Sequence, residues 1–174
     1  MPLTADRAGD FARVLEEASD DSRACMCTAY YGPDREGDGR AHRAAMFERG
    51  EADGYLLHAN ATHEPLGWCQ CAPLSSGLRL PGVPADAVGV WGLTCMVLRP
   101  AFRGRGLCRE FLRRILADLP RRGCRQVIVV GHRPEAYRDS PGFMELPAAV
   151  CEGAGLLLRR EHAVCPLYEL SFPR

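Results

Sequence analysis

The residues with the clearest capacity for chemistry stand between Val97 and Arg109, where the chain reads Val-Leu-Arg-Pro-Ala-Phe-Arg-Gly-Arg-Gly-Leu-Cys-Arg. Val97 and Leu98 end an apolar run, and from Leu107 the apolar positions recur at helical spacing, so Gly104 and Gly106 fall in a strand-to-helix turn. Such a turn suits an anion. The first turn of a helix leaves backbone N–H groups without intrahelical acceptors, the aligned peptide dipoles place about half a positive charge there, and glycine lets the backbone come close to a phosphate. Arg103, Arg105 and Arg109 add charge at the same point. The plainer reading of these residues is a tight turn followed by a solvated basic helix end. Two nucleotide signatures fail: G-x-G-x-x-G needs a third glycine where Arg109 stands, and a P-loop needs a Lys-Ser/Thr that the turn lacks.

Groups able to move protons are sparser. The strand from Val90 to Met96 carries no carboxylate. His132, Glu135 and Tyr137 follow Gly131 at the end of the apolar run Val127 to Val130, and strand ends in open α/β sheets commonly edge a ligand crevice. A histidine titrates near neutral pH, which suits taking a proton from an ammonium through water. Ordinary polar loop residues are the competing reading. The Cys-x-Cys pairs Cys25/Cys27 and Cys69/Cys71 each fall on one face of a strand, with His58 and His63 not far from the second. Structural zinc sites space their cysteines by about two to four residues and place them in loops. We therefore expect buried thiols and no metal.

The elements that must position these groups follow from periodicity. Phe11, Val14, Leu15 and Ala18 predict an amphipathic helix over Asp6 to Ser19, Cys25 to Tyr31 reads as a strand, and a second helix is expected from Ala41 to Arg49, closed by Gly50. Apolar runs at Gly54 to Ala59, Pro65 to Ala72 and Val88 to Leu98 predict an antiparallel meander. The connection Pro73 to Ala87 is long enough to contact a substrate. Leu107, Phe111, Leu112, Ile115, Leu116 and Leu119 line one face of the helix after the glycine turn, and Val127 to Val130 suits a strand covered on both faces, which completes a βαβ unit. A short helix from Leu146 to Ala154 and strands at Leu156 to Arg160 and Val164 to Phe172 close the chain. The expectation is one domain spanning residues 1–174, in the α/β class.

Together these residues resemble the GNAT superfamily of acetyl-CoA-dependent N-acetyltransferases. The glycine turn is similar to that family's R/Q-x-x-G-x-G/A signature, read here as Arg103-x-x-Gly106-x-Cys108, with Cys108 replacing the last small residue. A bacterial, uncharacterised subgroup of the family is similar further along the chain, at Cys25 to Tyr31, at His42-Arg43-Ala44-Ala45-Met46 and at Gly67-Trp68-Cys69. The resemblance implies a central, mostly antiparallel twisted sheet with one splayed parallel pair and flanking helices. It also implies acetyl-CoA as acyl donor, with its pyrophosphate on Arg103, Gly104, Arg105, Gly106, Leu107, Cys108 and Arg109 and its pantetheine along Met96, Val97 and Leu98. Acetyl transfer to a primary amine, small molecule or protein, would then be direct, with His132 and Glu135 as candidate bases. Many members use a tyrosine four residues before the glycine of a late motif to protonate the departing thiolate; Cys151 stands at that position, where a buried structural cysteine is the alternative. With neither the tyrosine nor a strand glutamate, a GNAT-fold module that binds acyl-CoA or a small ligand as a sensor is the rival reading. A homodimer is compatible with either.

Composition agrees with a small-molecule or protein substrate. Net charge is zero and the basic residues, all 22 of them arginine, are spread along the chain, which gives no broad face for nucleic acid or anionic lipid. An arginine-only composition has a bland cause in codon usage. Nine cysteines, an odd number, with no basic start or apolar signal run at the N-terminus, lead us to expect reduced thiols and a cytoplasmic protein.

Overall fold

The computed structural model describes residues 1–18, 29–31, 39–133 and 145–173. Its elements, in chain order, are α1 (Ala8–Ala18), α2 (Gly39–Glu48), β1 (Tyr55–His58), β2 (Pro65–Pro73), β3 (Val90–Leu98), α3 (Leu107–Asp118), β4 (Gln126–His132), β5 (Leu146–Pro147), α4 (Ala148–Gly153), β6 (Leu157–Arg160) and β7 (Leu167–Ser171). The strands form one seven-stranded mixed sheet in the order β1-β2-β3-β4-β7-β6, with β5 paired to β4. The expected α/β architecture is present: an antiparallel meander β1-β2-β3, then β4 parallel to β3 across the α3 crossover, then antiparallel β7 and β6.

Each helix buries one stripe. Phe11, Val14 and Leu15 of α1 point into the protein at spacings of three and four, and Phe111, Leu112, Ile115 and Leu116 of α3 do the same on the opposite face of the sheet. Each fully buried side chain of this kind contributes roughly 1.5 to 3 kcal/mol relative to exposure. The α3 side holds the largest cluster, with Trp91, Leu93, Val127 and Val129 of the sheet beneath the helix. On the other side α1 packs over Trp68, Cys95 and Val97, while Leu74, Leu78 and Leu80 pack beneath Ile128 and Val130.

The expected helix from Leu146 to Ala154 is shorter than its sequence suggested, because Leu146–Pro147 pair with β4 as β5 and only Ala148–Gly153 are helical. Tyr30 and Tyr31 lie in a 3-10 turn over Ala29–Tyr31, not in a strand; Cys25 to Thr28 fall outside the described residues. The connection Pro73 to Ala87 sends its leucines into the core, where Leu78 Cδ2 would lie 2.6 Å from any Cβ at Gly92, so that glycine makes room for the packed loop.

One irregularity decides the shape of the centre. Along β2 and β3 the partners run Gly67↔Leu98, Trp68↔Val97 and Cys69↔Met96, then jump to Cys71↔Leu93. Gln70 therefore opposes two residues, Thr94 and Cys95. That is a β-bulge on β3, which bends the bulged strand and resets its alternation. Trp91 and Leu93 face α3 before it, and Met96 faces α3 after it, while Cys95 and Val97 face α1.

Candidate functional site

The bulge coincides with the point at which β3 leaves β4. Their parallel ladder runs from Val90↔Gln126 to Leu93↔Val129 and ends there, so Thr94 to Leu98 diverge from Val130 to His132. The other edge of β4 continues on β7 and beyond, with Gly131 N–H donating to Pro166 O and Arg133 N–H to Val164 O. β5 must therefore occupy the edge that β3 vacates, and it does so through Gly131↔Leu146 and His132↔Pro147. The result is a V between β3 and β4 with β5 set into its head.

β3 runs out of the V into the glycine turn. Pro100–Phe102 forms a 3-10 turn, Arg103 is extended, and Gly104 and Gly106 adopt φ of 72° and 74°, a left-handed conformation that glycine takes without strain. Gly106 is the N-cap of α3 and, having no side chain, leaves the N–H groups of the first helical turn to an external acceptor. A Cβ at either glycine would meet nothing within 4 Å, so the face of the turn is open. Arg105 and Arg109 are exposed at its rim, and Leu107 and Cys108 are half-buried at its base. Burial raises the Cys108 thiol despite the opposing charge of Arg103.

Arg103, one of the residues expected at the pyrophosphate, has protein partners of its own. Its Nε donates to Leu98 O at 2.9 Å and its Nη2 to Ala18 O at 3.0 Å, so the guanidinium braces the turn against β3 and the end of α1. Arg99, which the sequence reading passed over, is the second brace. It is 6% exposed and donates to Glu17 Oε2 and Glu64 Oε1, both at 2.6 Å, and to Pro65 O at 2.7 Å. The nearby guanidinium depresses the Glu17 pKa. The signal for Arg99 was its position directly before Pro100 at a strand end, where a cation can reach several carbonyl and carboxylate groups at once.

A polar chain ties the bulge to the N-terminal half. The Thr94 hydroxyl donates to Gln70 Oε1 at 2.6 Å, and Gln70 Nε2 donates to Asp53 Oδ2 at 3.3 Å. Asp53 also accepts from the Tyr31 hydroxyl and pairs with Arg43, whose guanidinium lies over the rings of Phe11 and Trp68. Arg43 is 2% exposed, and only a paired, ring-covered charge is affordable at such a position. Arg43 and Met46, three apart on α2 and both buried, were the readable trace of this network.

His132 lies at the head of the V, 7% exposed, with Nδ1 2.6 Å from Glu145 O. A carbonyl only accepts, so Nδ1 carries the proton in this contact. Glu145 precedes β5, and its Oε1 accepts from the Tyr30 hydroxyl at 2.9 Å. Sequence reasoning missed both Glu145 and Tyr30, because they meet only once β5 has folded back onto β4. Glu135 and Tyr137 lie outside the described residues. Cys151 is fully buried on α4, its thiol pushed up to about 12 by burial and then by Glu152. Cys69 and Cys71 both lie in the α3-side core, with thiols raised well above their usual range by burial. Among the described residues no three His, Cys, Asp or Glu side chains are grouped to hold a metal, and no helix is long and apolar enough to cross a membrane. Two pockets lie away from the V: one of about 470 Å³ between β1 and α3, and one of about 560 Å³ beside Asp53, Trp91 and Arg122.

Comparison with known proteins agrees with this arrangement. Residues 15–143 match the family model described as the acetyltransferase (GNAT) family. No curated protein matches. Among solved structures, an acetyltransferase from Thermus thermophilus is 20% identical with a TM-score of 0.54, covering 98% of this chain and 94% of its own. The PaiA N-acetyltransferase of Thermoplasma acidophilum, solved in complex with coenzyme A, is 11% identical with a TM-score of 0.54, over 98% and 96% of the two chains. A chain of the NatC complex, solved with Gag peptide and CoA, is 13% identical with a TM-score of 0.61, over 99% and 97%.

Proposed function

Because the chain belongs to the GNAT acetyltransferase family, we propose that it transfers an acetyl group from acetyl-CoA to a primary amine of a small molecule or protein, by direct attack and with residues 1–174 acting as one unit. The observation that carries this reading is the parting of β3 from β4 at the bulge, directly before an open, glycine-capped helix start. The pyrophosphate would rest on the N–H groups from Gly104 to Cys108, with Arg105 and Arg109 at the rim and Arg103 holding the turn in shape. The pantetheine would lie along Met96, Val97 and Leu98, where β3 has no β4 partner. Bound acetyl-CoA supplies the activated acyl carbon. The protein holds that carbon still, and a backbone N–H of the diverging part of β3 would meet the charge that develops on the thioester oxygen. Cys151, buried and protonated, is assigned to the core.

The test is paired. Acetyl-CoA should raise Tm, since a ligand that binds only the folded state at a hundred times its Kd adds about 2.7 kcal/mol of stability. Amine-dependent release of CoA should follow with a panel of primary amines; the chain has no lysine side chain to consume the donor itself. Binding of acetyl-CoA with no release for any amine would favour an acyl-CoA sensor. No binding at millimolar acetyl-CoA would remove both readings.

A further inference from the structure

The carboxylate of Glu145 has no part in the acyl-donor site, yet its surroundings are unusual for a carboxylate that leads into a strand. Oε1 accepts from Tyr30 at 2.9 Å, while Oε2 is buried and has no hydrogen-bond partner among the described residues. A buried carboxylate oxygen left unsatisfied is costly, and a donor from a bound molecule would satisfy it. Its place in the fold says which side that donor comes from. Glu145 immediately precedes β5, on the edge of β4 that β3 has vacated, and its own carbonyl holds His132 Nδ1. Tyr30 packs against the clusters that contain Cys95, Val97 and Val130, which lie on the α1 face of the sheet, opposite α3.

We propose that Glu145 binds the ammonium of the acceptor and takes its proton, so that a cationic primary amine enters from the α1 face and attacks a thioester held from the α3 side. The inference rests on the acyl-transfer reading above. In the step, R-NH3+ gives one proton to Oε2, and the nitrogen lone pair forms the C–N bond to the thioester carbonyl. The C–S bond breaks with its electron pair going to sulfur. The second nitrogen proton ends on the sulfur as CoA-SH, the third stays on the amide, and the proton on Glu145 leaves to water. Tyr30 is a positioning residue: burial, and then the Glu145 charge, raise its pKa, so its hydroxyl keeps its proton and holds Oε1. Among the described residues, the other titratable groups around the Tyr30–Glu145 pair are Cys95 on β3, beside Tyr30, His132 on β4, held by the Glu145 carbonyl, and Cys165 ahead of β7, whose thiol is raised by burial and then by the Glu145 charge.

Glu145→Gln keeps the shape and the acceptor for Tyr30 but cannot take a proton. It should lower kcat for amine-dependent CoA release by about 100-fold or more, the usual contribution of a general base, while the Kd for acetyl-CoA measured by calorimetry stays within about twofold. Its kcat/KM should rise with pH in step with the free-amine fraction, without the lower-pH plateau of the parent. Glu145→Asp should recover part of the rate. Tyr30→Phe should lower kcat with little change in acetyl-CoA Kd and should keep the parent's pH profile. An active parent whose Glu145→Gln variant turns over within about threefold, with an unchanged pH profile, refutes the base role alone. A parent that binds acetyl-CoA and releases no CoA with any amine refutes acyl transfer and the base role with it.

Discussion

Gly106→Asp should separate acetyl-CoA binding from folding at a single residue. Gly106 has φ of 74° at the N-cap of α3, and a Cβ there would project into open space, with nothing within 4 Å. Folding is therefore opposed by backbone conformation and not by a clash. A left-handed residue with a side chain costs roughly 1 to 2 kcal/mol. Aspartate is among the residues that tolerate it best, so we take about 1 kcal/mol, or a fall in Tm of about 2 to 4 °C for a chain of this length. Binding should suffer more, because that open space is where the proposed pyrophosphate would come. A carboxylate about 5 Å from a phosphate charge is repelled by roughly 3 kcal/mol at an effective dielectric constant of about 20. Salt and the exposure of the turn reduce this to about 2 kcal/mol, near thirtyfold in Kd. Gly106→Asn has the same size and the same tolerance of positive φ but no charge. Calorimetry with acetyl-CoA should thus rank the proteins parent, then Asn, then Asp, with the last two about thirtyfold apart. Circular dichroism should show both variants folded. A folded Gly106→Asp protein that binds acetyl-CoA as tightly as the parent would show that this turn does not hold the donor.

Other perturbations probe the supports of the site. Arg99→Gln should lower Tm and weaken acetyl-CoA binding together, since the guanidinium links Glu17, Glu64 and Pro65 to the end of β3. Glu17 has a folded pKa below its ordinary 4.5, so the stability it lends is present above that value and is lost as pH falls through the folded one. The Tm gap between parent and Arg99→Gln should accordingly be constant above about pH 5 and narrow below about pH 4.5; a gap that widens in acid would contradict the assignment. Asp53→Asn removes the carboxylate charge that pairs with the buried Arg43, which should cost about 3 kcal/mol and lower Tm by about 6 to 12 °C; an unchanged Tm would mean that the pair adds no net stability. Iodoacetamide, followed by mass spectrometry, should modify Cys108 and Cys165 ahead of the buried Cys69, Cys71, Cys95, Cys124 and Cys151. Acetyl-CoA should protect Cys108, at the base of the turn, more than Cys165, and equal labelling with and without ligand would argue against the assigned donor path.

Local patterns made much of the fold legible. The stripe Phe111, Leu112, Ile115, Leu116 marks α3 because a helix returns to one face every three or four residues, and Gly104 and Gly106 mark the turn because two left-handed positions there favour glycine. What escaped the reading depends on partners distant in sequence. Tyr30 and Tyr31 have strand-forming side chains, yet the Tyr31 hydroxyl reaches Asp53 and Tyr30 reaches Glu145, 115 residues away, so tertiary contacts override a weak local preference. Leu74, Leu78 and Leu80 occur in a Pro-, Gly- and Ser-rich stretch whose composition suggests an exposed loop; it is the bare Cα of Gly92 that admits them to the sheet. Arginine spacing likewise suggested charge and could not show partners: Arg103, exposed like Arg105 and Arg109, bends back along the surface to the carbonyl oxygens of Leu98 and Ala18.

The bulge was the least legible feature, and it organises the proposed chemistry. Thr94 and Cys95 are ordinary strand residues, and only their sharing of Gln70 reveals that β3 carries one residue more than β2 across this stretch. An unbulged strand would keep Trp91, Leu93, Cys95 and Val97 on one face. With the extra residue, Cys95 and Val97 are handed to the α1 side while Met96 takes over the α3 side, and the same bend ends the ladder to β4 at Leu93. A transfer by direct attack needs a thioester accessible from one side while the rest of the donor is held from the other. In the proposed transfer the bulge would supply both conditions, since the strand that leads to the glycine turn also turns its reset face toward Tyr30, which holds Glu145. Thr94 then has a definite part. Its hydroxyl, bound to Gln70 and through it to Asp53 and Arg43, fixes the bulge from the N-terminal half, so a network that touches neither donor nor acceptor would set the distance between them.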